Sequence, residues 1–525
     1  MVTIRSGLVG TVDPYAPELP QLTVDTTYSL PTGGTTRTVG VGMDYTDLQV
    51  AIDAAVLGDI LVLTAGETFT DNFTLPDKGA GTDWIYIISS DLASLAEGTR
   101  VVPGDATSMA AIATPNTSAA VDVDYGGHHY RFAGIEFTTN FATYNLIMLG
   151  TEGGVQATTE ADLAWHITFD RCYIHSINDS LRLRTGLLAN GKYIGVVDSY
   201  FQNCKDTADA QAIAVWQGTG PFKIHNNFLE GSGENILFGG EAVPITNALP
   251  SDVTFTNNHC FKRLAWNGGS WGVKNLFEIK MGQRFLISGN VFENVWVAGQ
   301  NGTAIVLTVR DQYGDAEHAI IQDVTFENNL IHNVGRGLLL TGEDDLQISQ
   351  QTQRVLIRNN VFDEINAANG GAFTIGIETT SPDRPILYLT IENNLIVYPE
   401  DEVGYNPGAF NAATLDGFIF RNNIFTEGDY GAVIGTGQLN YTTEYNGVIF
   451  NPSSSRYTYN LNNYATRYPG PGMQKADVPA DADFTDWTAE NYLLLNTSPF
   501  YQAGSDGKDM GPDIAELNAA IAGVT

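Results

Sequence analysis

Apolar and polar residues alternate in short runs along most of this chain, and one form of run recurs. Apolar residues alternate with polar ones, a polar pair that is most often Asn-Asn follows, and two apolar residues close the run. The second residue of the pair falls at positions 172, 199, 227, 258, 290, 329, 360, 394 and 423, so successive runs are 27 to 39 residues apart. Strand-length runs at this period leave no room for crossover helices, and they predict a β-solenoid.

The recurring Asn pairs are explained by stacking of the coils. Adjacent coils of a solenoid are about 4.8 Å apart, so equivalent turn residues form columns. An Asn amide in such a column can bond to its copies above and below, and Asn also tolerates the left-handed backbone of a sharp turn. We therefore expect these residues to form a structural ladder.

A second series of apolar runs follows the Asn pairs and predicts a second sheet, with shorter and more variable segments on the third side of each coil. These runs occupy residues 181–184, 211–216, 235–238, 276–281, 304–310, 337–341 and 372–378. Long polar segments leave after this sheet at residues 238–253, 262–274, 310–322 and 341–353. Such excursions are expected to form the walls of a groove.

The ends of the chain differ from its middle and suggest three parts. Residues 1–36 are rich in Thr, Pro and Gly and predict an extended arm that packs on or beyond the main body. Residues 37–437 predict the solenoid, beginning with a short amphipathic helix within 44–55 that caps it. Residues 438–525 predict the last coils and a C-terminal cap, closed by a helix over 513–521.

The charge balance limits the classes of partner. The chain has 26 Lys and Arg against 60 Asp and Glu, a formal net charge of −34, which argues against nucleic acid or an anionic membrane surface. Three cysteines are too few for a disulfide framework. No run approaches the roughly 18 apolar residues of a membrane span, and the first residues do not resemble a signal peptide. We expect a protein that works outside the cell or on a virion, after removal of a leader or release without one.

Alternation along the second series predicts which side chains face outward. If Phe277, Ile279 and Met281 point into the core, Glu278 and Lys280 point out. The same parity, continued onto the adjoining loops, gives a candidate surface that is rich in basic residues for so acidic a chain. Its members are Arg182, Arg184, Trp216, Glu278, Lys280, Arg310 and Glu378, with Asp311 and Asp315 on the loop after Arg310.

This organisation resembles the right-handed parallel β-helix superfamily, which includes polysaccharide lyases, some glycoside hydrolases and phage tailspikes. The resemblance covers roughly residues 40–520 and implies an all-β fold, a right-handed single-stranded parallel β-helix. An acidic residue and Lys on one coil, followed by Arg on the next, is similar to the chondroitinase-B-like alginate and chondroitin lyases. That family has further acidic ligands before its Lys, at a wider spacing that this sequence does not match.

The resemblance implies β-elimination of a uronic-acid-containing glycan, which needs a base, an acid for the leaving oxygen and a cation for the carboxylate. Lys280 is then the base, Arg310 neutralises the carboxylate, and Glu278 binds Ca²⁺ or holds Lys280. Ca²⁺, if the protein uses a metal at all, is expected on Glu278, Asp311 and Asp315. The residues expected to contact the polysaccharide are Arg182, Arg184, Trp216, Asp311 and Glu378.

Three alternatives remain open at this stage. Glu278, Lys280 and Arg310 also fit a surface ion ladder of little energy. A glycoside hydrolase would instead use a pair of carboxylates, such as Asp206 with Asp209 or Glu241 with Glu278. A non-catalytic tailspike, fibre, capsid decoration or adhesin is the rival from another class. In it, residues 1–36 would attach to virion partners or support a homotrimer.

Overall fold

The chain folds into three long sheets in which each coil contributes one strand to each sheet. The computed structural model describes residues 14–150, 157–366, 369–371, 373–378, 384–398, 406–410, 415–434 and 440–525. In these ranges the three sheets have 14, 12 and 14 strands, and every pairing within them is parallel. The predicted parallel β-helix is confirmed.

The first sheet carries the alternating half of each repeat. Its strands, in stacking order, are Thr36–Val39, Ile60–Leu63, Ile85–Ser89, His128–Ala133, Ala164–Asp170, Gly191–Val197, Phe222–His225, Ser251–Thr256, Gly282–Ser288, Ile321–Glu327, Gln353–Arg358, Ile386–Glu392, Leu415–Arg421 and Asn440–Glu444.

The second sheet corresponds to the predicted second series. Its strands are Phe73–Leu75, Val121–Val123, Thr143–Leu149, Leu183–Ala189, Gln211–Val215, Glu234–Phe238, Asn275–Ile279, Thr303–Leu307, Arg336–Thr341, Phe373–Glu378, Asn406–Phe410 and Ala432–Ile434.

The third side is a regular sheet, not the variable segment that the sequence predicts. Each Asn pair is the corner between sheets 1 and 3, and the two apolar residues after it begin a sheet 3 strand. These strands are Thr68–Thr70, Ala110–Ala113, Ile135–Thr139, Tyr173–Ser176, Tyr200–Cys204, Phe228–Gly231, His259–Phe261, Val291–Val295, Leu330–Val334, Val361–Ile365, Leu395–Ile396, Ile424–Glu427, Gly447–Phe450 and Gln474–Ala476.

The core consists of inward side chains stacked in register along the axis. In sheet 2, for example, one wholly buried column is formed by Ile213, Ile236, Phe277, Ile305, Leu338 and Ile375. Each member covers the one below it, so the apolar surface on both sides of every coil is buried away from water.

The predicted Asn ladder is present at the corner between sheets 1 and 3. Each second Asn donates its amide to the carbonyl oxygen of the next, as in Asn258 Nδ2 to Asn290 Oδ1 at 3.2 Å and Asn290 Nδ2 to Asn329 Oδ1 at 2.9 Å. The column runs from Asn227 to Asn446, one coil beyond the last predicted repeat. The first Asn of each pair has a positive φ, such as 56° at Asn257, which explains why that position is polar and small.

Helices are short and lie at the margins of the stack. The α-helices of the described residues are Leu48–Ala54, Tyr457–Asn462, Tyr464–Arg467 and Ile514–Ala520. The first begins at Asp47, whose side chain accepts from the N–H of Val50, and it buries Leu48, Ala51 and Ile52 in the core. Within the described ranges, none of the helices has the length and apolar character that crossing a bilayer needs.

Residues 14–35 of the predicted arm pack along the outer face of sheet 1. The segment crosses many coils in the direction opposite to the coil order. Its contacts are Tyr15 stacked on Tyr388 with ring centroids 4.3 Å apart, the N–H of Gln21 to Asp252 at 2.8 Å, and the carbonyl of Ser29 accepting from Tyr86 at 2.6 Å. The first 13 residues of the arm lie outside the described residues.

The C-terminal segment lies elsewhere than predicted. Its helix does not close the last coil: the segment returns along the ladder corner and bonds to the first Asn of several pairs. The contacts are Asn422 to Ser505 at 3.0 Å, the N–H of Asp513 to Asn359 at 2.5 Å, and Asn257 to the carbonyl of Ala520 at 2.6 Å. A hairpin of strands Phe484–Asp486 and Asn491–Leu494 precedes this return.

A wholly buried lysine closes the loop between sheets 3 and 2. Lys262 donates to the carbonyl oxygens of Gly231, Ser232 and Gly233 at 2.7, 3.1 and 2.6 Å, and to Asn235 Oδ1 at 3.0 Å. These acceptors lie one coil below, so this side chain fixes the loop to its neighbour.

We expect Lys262→Met to lower the free energy of unfolding by about 2–3 kcal/mol, because it leaves buried carbonyl groups without a donor. Chemical denaturation followed by circular dichroism measures the change. Lys508→Met, at an exposed lysine, is the control and should change the value by less than about 0.5 kcal/mol. Equal effects of the two changes would contradict this role.

Candidate functional site

Four of the predicted outward residues of sheet 2 line one groove on the surface of the β-helix. The groove has a volume of about 920 Å³ and contains Glu278, Lys280, Arg310 and Glu378. Its walls come from the predicted segments 310–322 and 341–353, through Gln312, Glu343 and Asp345, and from the segment Gly299–Asn301, which the sequence analysis missed. Period-2 alternation therefore identified the floor of the groove but only part of its walls.

Glu278 is a buried acid in an apolar column. Its neighbours on the coils below and above are Leu237 and Val306, and the residue is 2% exposed. Burial raises the pKa of the Glu278 carboxyl, while Lys280 and the amide of Asn275 act in the opposite direction. The Asn275 amide donates to Oε2 at 2.8 Å, and Lys280 Nζ lies 3.7 Å from Oε1. Glu278 and Lys280 thus form a loose ion pair on one coil, and the role of Glu278 toward Lys280 stays a prediction.

A polar cluster adjoins this pair, and of its members the sequence analysis named only Asp209, as a candidate hydrolase carboxylate. Lys274 Nζ lies 3.5 Å from Glu234 Oε1 and also pairs with Asp209, and Gln211 donates to Glu234 Oε2 at 2.7 Å. Gln211, Glu234 and Asn275 stand at one register position on three successive coils. That position has the inward parity of Ile236 and Phe277, where alternation by itself favours apolar residues. The signal was the recurrence of polar residues at the first position of three adjacent strands.

Arg310 lines the groove, but its guanidinium is already paired. It lies 3.0 Å from Asp344 and also contacts Asp345, which is exposed. Its backbone N–H donates to the carbonyl oxygen of Lys280 at 2.9 Å, so the two residues are on adjacent coils as predicted. Both contacts use the same nitrogen, Nη1, so an anionic ligand can pair with the other nitrogens of the guanidinium or replace the exposed Asp345.

The three predicted Ca²⁺ ligands are not brought together. Asp311 is buried and accepts from the N–H groups of Gly314, Asp315 and Ala316, so its carboxylate shapes its own loop. Asp315 accepts from the N–H of Val243 in a different cleft. The predicted contact of Asp311 with substrate fails for the same reason. Glu278, Asp311 and Asp315 do not fit a shared ion.

Arg182 and Arg184 form a second patch on the same face, several coils toward the N-terminus. The Arg182 guanidinium lies 4.1 Å from the ring centre of Tyr144, and that of Arg184 lies 5.4 Å from it. Arg182 also lies 3.6 Å from Asp206. Tyr144 is 46% exposed and is an aromatic surface that the sequence analysis missed.

Trp216 is buried, contrary to its predicted contact with a sugar. It is 4% exposed and packs with Leu188, Ala214 and Leu237, which precede Glu278 in the outward columns of sheet 2. The Arg184 guanidinium lies 5.5 Å from its ring centre, so Trp216 supports the arginine from beneath. Glu378 is exposed and stands beside Thr341 at the far end of the groove.

Comparisons with known proteins relate this chain to others by fold. No protein-family model and no curated protein sequence matches it. A mannuronic acid specific polysaccharide family 6 lyase from human gut microbiota superimposes with a TM-score of 0.51 at 14% identity, over 84% of this chain and 91% of that one. The family 6 alginate lyase AlyGC gives 0.49 at 15% identity, over 90% of this chain and 58% of that one. The Dettilon tailspike protein gives 0.38 at 14%, over 76% and 66% of the two chains. At 14% identity, the likeness to the first of these lyases shows a shared fold, the parallel β-helix.

Proposed function

We propose that this protein binds a polysaccharide along the outer face of sheet 2 and cleaves a uronic-acid-containing glycan by β-elimination in the groove at Lys280. The observation that carries the proposal is the position of Lys280, in a groove and 3.7 Å from a buried carboxylate. The basic patch on the same face supports an anionic substrate, since the chain as a whole has a net charge of −34. An extracellular or virion setting belongs to the same proposal.

The pair of Glu278 and Lys280 supplies a route to a neutral amine. In this proposal Lys280 gives a proton to Glu278, whose carboxyl pKa is raised by burial, and the lysine then acts as an uncharged amine. That amine takes the C5 proton of the uronate, the C5–H electrons form the C4–C5 double bond, and the C4–O bond breaks. The resulting ammonium returns the proton to the leaving oxygen.

Arg310 neutralises the uronate carboxylate in this proposal by exchanging the exposed Asp345 for the substrate. Asp344 keeps its own contact with the guanidinium and so holds Arg310 in place during the exchange. No step is assigned to Ca²⁺, because the predicted ligands are engaged by Asn275, by Lys280 and by backbone amides.

Incubation with alginate, pectate, chondroitin and host capsule extracts tests the function. Ultraviolet absorbance from new unsaturated uronate ends should rise with at least one of them. No product on the whole panel, together with detection of the protein in purified particles, would instead support a non-catalytic virion protein. New reducing ends without the absorbance would support a hydrolase.

The arginine patch should contribute to binding more than to chemistry. We expect Arg182→Ala and Arg184→Ala each to raise KM about tenfold with kcat unchanged, as the loss of a charge-assisted hydrogen bond of about 1.5 kcal/mol implies. Initial rates on the active glycan measure both constants. Arg421→Ala is the matched control, because Arg421 is exposed to a similar extent but pairs with Glu392 on sheet 1. A fall in kcat at constant KM would contradict a binding role.

A further inference from the structure

Side chains from three separate parts of the chain meet beside the C-terminal hairpin, away from the groove. His332 lies on the sheet 3 strand Leu330–Val334, and Glu364 lies on the next strand of that sheet, Val361–Ile365. Glu490 lies in the connection of the hairpin, just before the strand Asn491–Leu494. One potential ligand atom from each of the three side chains lies within 4.8 Å of the other two.

The imidazole of His332 is oriented by a buried carboxylate. Asp363, its register neighbour, places Oδ1 2.8 Å from His332 Nδ1 and is 2% exposed. The hydroxyl of Tyr492, from the hairpin, is 3.4 Å from the other oxygen of Asp363. Because Asp363 accepts from Nδ1–H, the ring is oriented with Nε2 toward the two glutamates, and a metal ion would take the place of the proton on Nε2. Histidines that bind metal are oriented by a carboxylate in this way.

The spacing of the ligand atoms suits a small divalent ion. His332 Nε2 lies 3.3 Å from Glu364 Oε2, and two ligands at about 2.1 Å in tetrahedral geometry are about 3.4 Å apart. One imidazole and two carboxylates form a donor set that Zn²⁺ accepts, whereas Ca²⁺ takes oxygen ligands in larger number. Glu364 and Glu490 face solvent, so water can complete the coordination.

We propose that His332, Glu364 and Glu490 form a Zn²⁺ site, with Asp363 as a positioning residue, that fastens the C-terminal hairpin to sheet 3. The hairpin packs Phe484, Trp487 and Tyr492 against the cluster that also holds the returning helix Ile514–Ala520. Metal bound to Glu490 therefore links the β-helix to the segment that covers its ladder corner. The site is on sheet 3 and does not depend on the function proposed for sheet 2.

Titration of the full-length, chelator-treated chain with ZnCl₂ tests the site. Calorimetry should give a stoichiometry near one, and the thermal unfolding midpoint should rise with free Zn²⁺ as binding to the native state requires. CaCl₂ at the same concentration should not raise it. Zn²⁺ should also slow proteolytic cleavage within residues 483–491. Absence of Zn²⁺ binding up to millimolar concentration would overturn the proposal, and binding without protection of the hairpin would overturn its fastening role.

Variants show whether Zn²⁺ binds at this site or at another histidine that pairs with a carboxylate. Glu490→Gln, at an exposed position, should weaken Zn²⁺ binding at least tenfold without affecting the fold, and Asp363→Asn should weaken it about 10- to 100-fold. His259→Gln is the matched control, since His259 pairs with Glu293 at 2.9 Å on the same sheet. The affinity of His259→Gln for Zn²⁺ should equal that of the unmodified protein. Equal affinity of Glu490→Gln and the unmodified chain would place the ion elsewhere and overturn the assignment.

Discussion

Lys280→Ala is expected to reduce kcat for glycan cleavage by about 10³-fold, because it removes the base and the proton donor together. Stability should change little, since the buried Glu278 can take up a proton when its partner is lost. The rate at which ultraviolet absorbance rises with the active glycan measures the change in kcat, and circular dichroism measures the change in folding. Lys475→Ala is the matched control: Lys475 also pairs with an acid two residues away, Asp477, but lies on sheet 3.

The variant Lys280→Arg distinguishes proton transfer from simple charge. Arginine keeps the positive charge but does not lose its proton at working pH, so a base at this position should remain inactive after the change. Activity retained in Lys280→Arg would make residue 280 an electrostatic contact. Lyase activity that persists in Lys280→Ala would rule out the proposed site.

Asn360→Ala is expected to lower the free energy of unfolding by about 3–5 kcal/mol, the largest loss that we expect from one side chain of the ladder. Asn360 Oδ1 accepts from the backbone and side-chain nitrogens of Asn329 at 2.9 and 3.0 Å. Its Nδ2 donates to the backbone carbonyl oxygen of Phe326 and to the side-chain Oδ1 of Asn394, each at 3.0 Å. Alanine leaves these buried groups unpaired on two adjacent coils. Urea unfolding measures the loss.

Two further variants define what the ladder requires. Asn360→Asp retains the acceptors but not the amide donor, and it adds a buried charge, so we expect it to be at least as damaging as alanine. Asn462→Ala, at an exposed helical position, is the control and should change stability by less than about 0.5 kcal/mol. A loss below 1 kcal/mol in Asn360→Ala would show that the coils stack without help from this column.

The groove shows where alternation along a strand predicts the position of a functional side chain and where it does not. It placed Glu278 and Lys280 on the outer face correctly, because successive side chains of a strand point to opposite sides whatever lies beyond it. It also assigned Trp216 to the surface, where neighbours on other coils cover the ring. Asp311 was expected to bind a ligand, yet its loop turns back and occupies the carboxylate.

The repeat and the Asn pairs determined the fold, the stacking order and the ladder, because these depend on a short pattern that each coil carries locally. The tertiary structure decided the burial of Glu278, the pairing of Arg310 with Asp344, the return of the C-terminal segment and the meeting of His332 with Glu490. Each of these depends on which residue of one coil lies above which residue of another. Loops of unequal length set that register, and no pattern within a single strand records it.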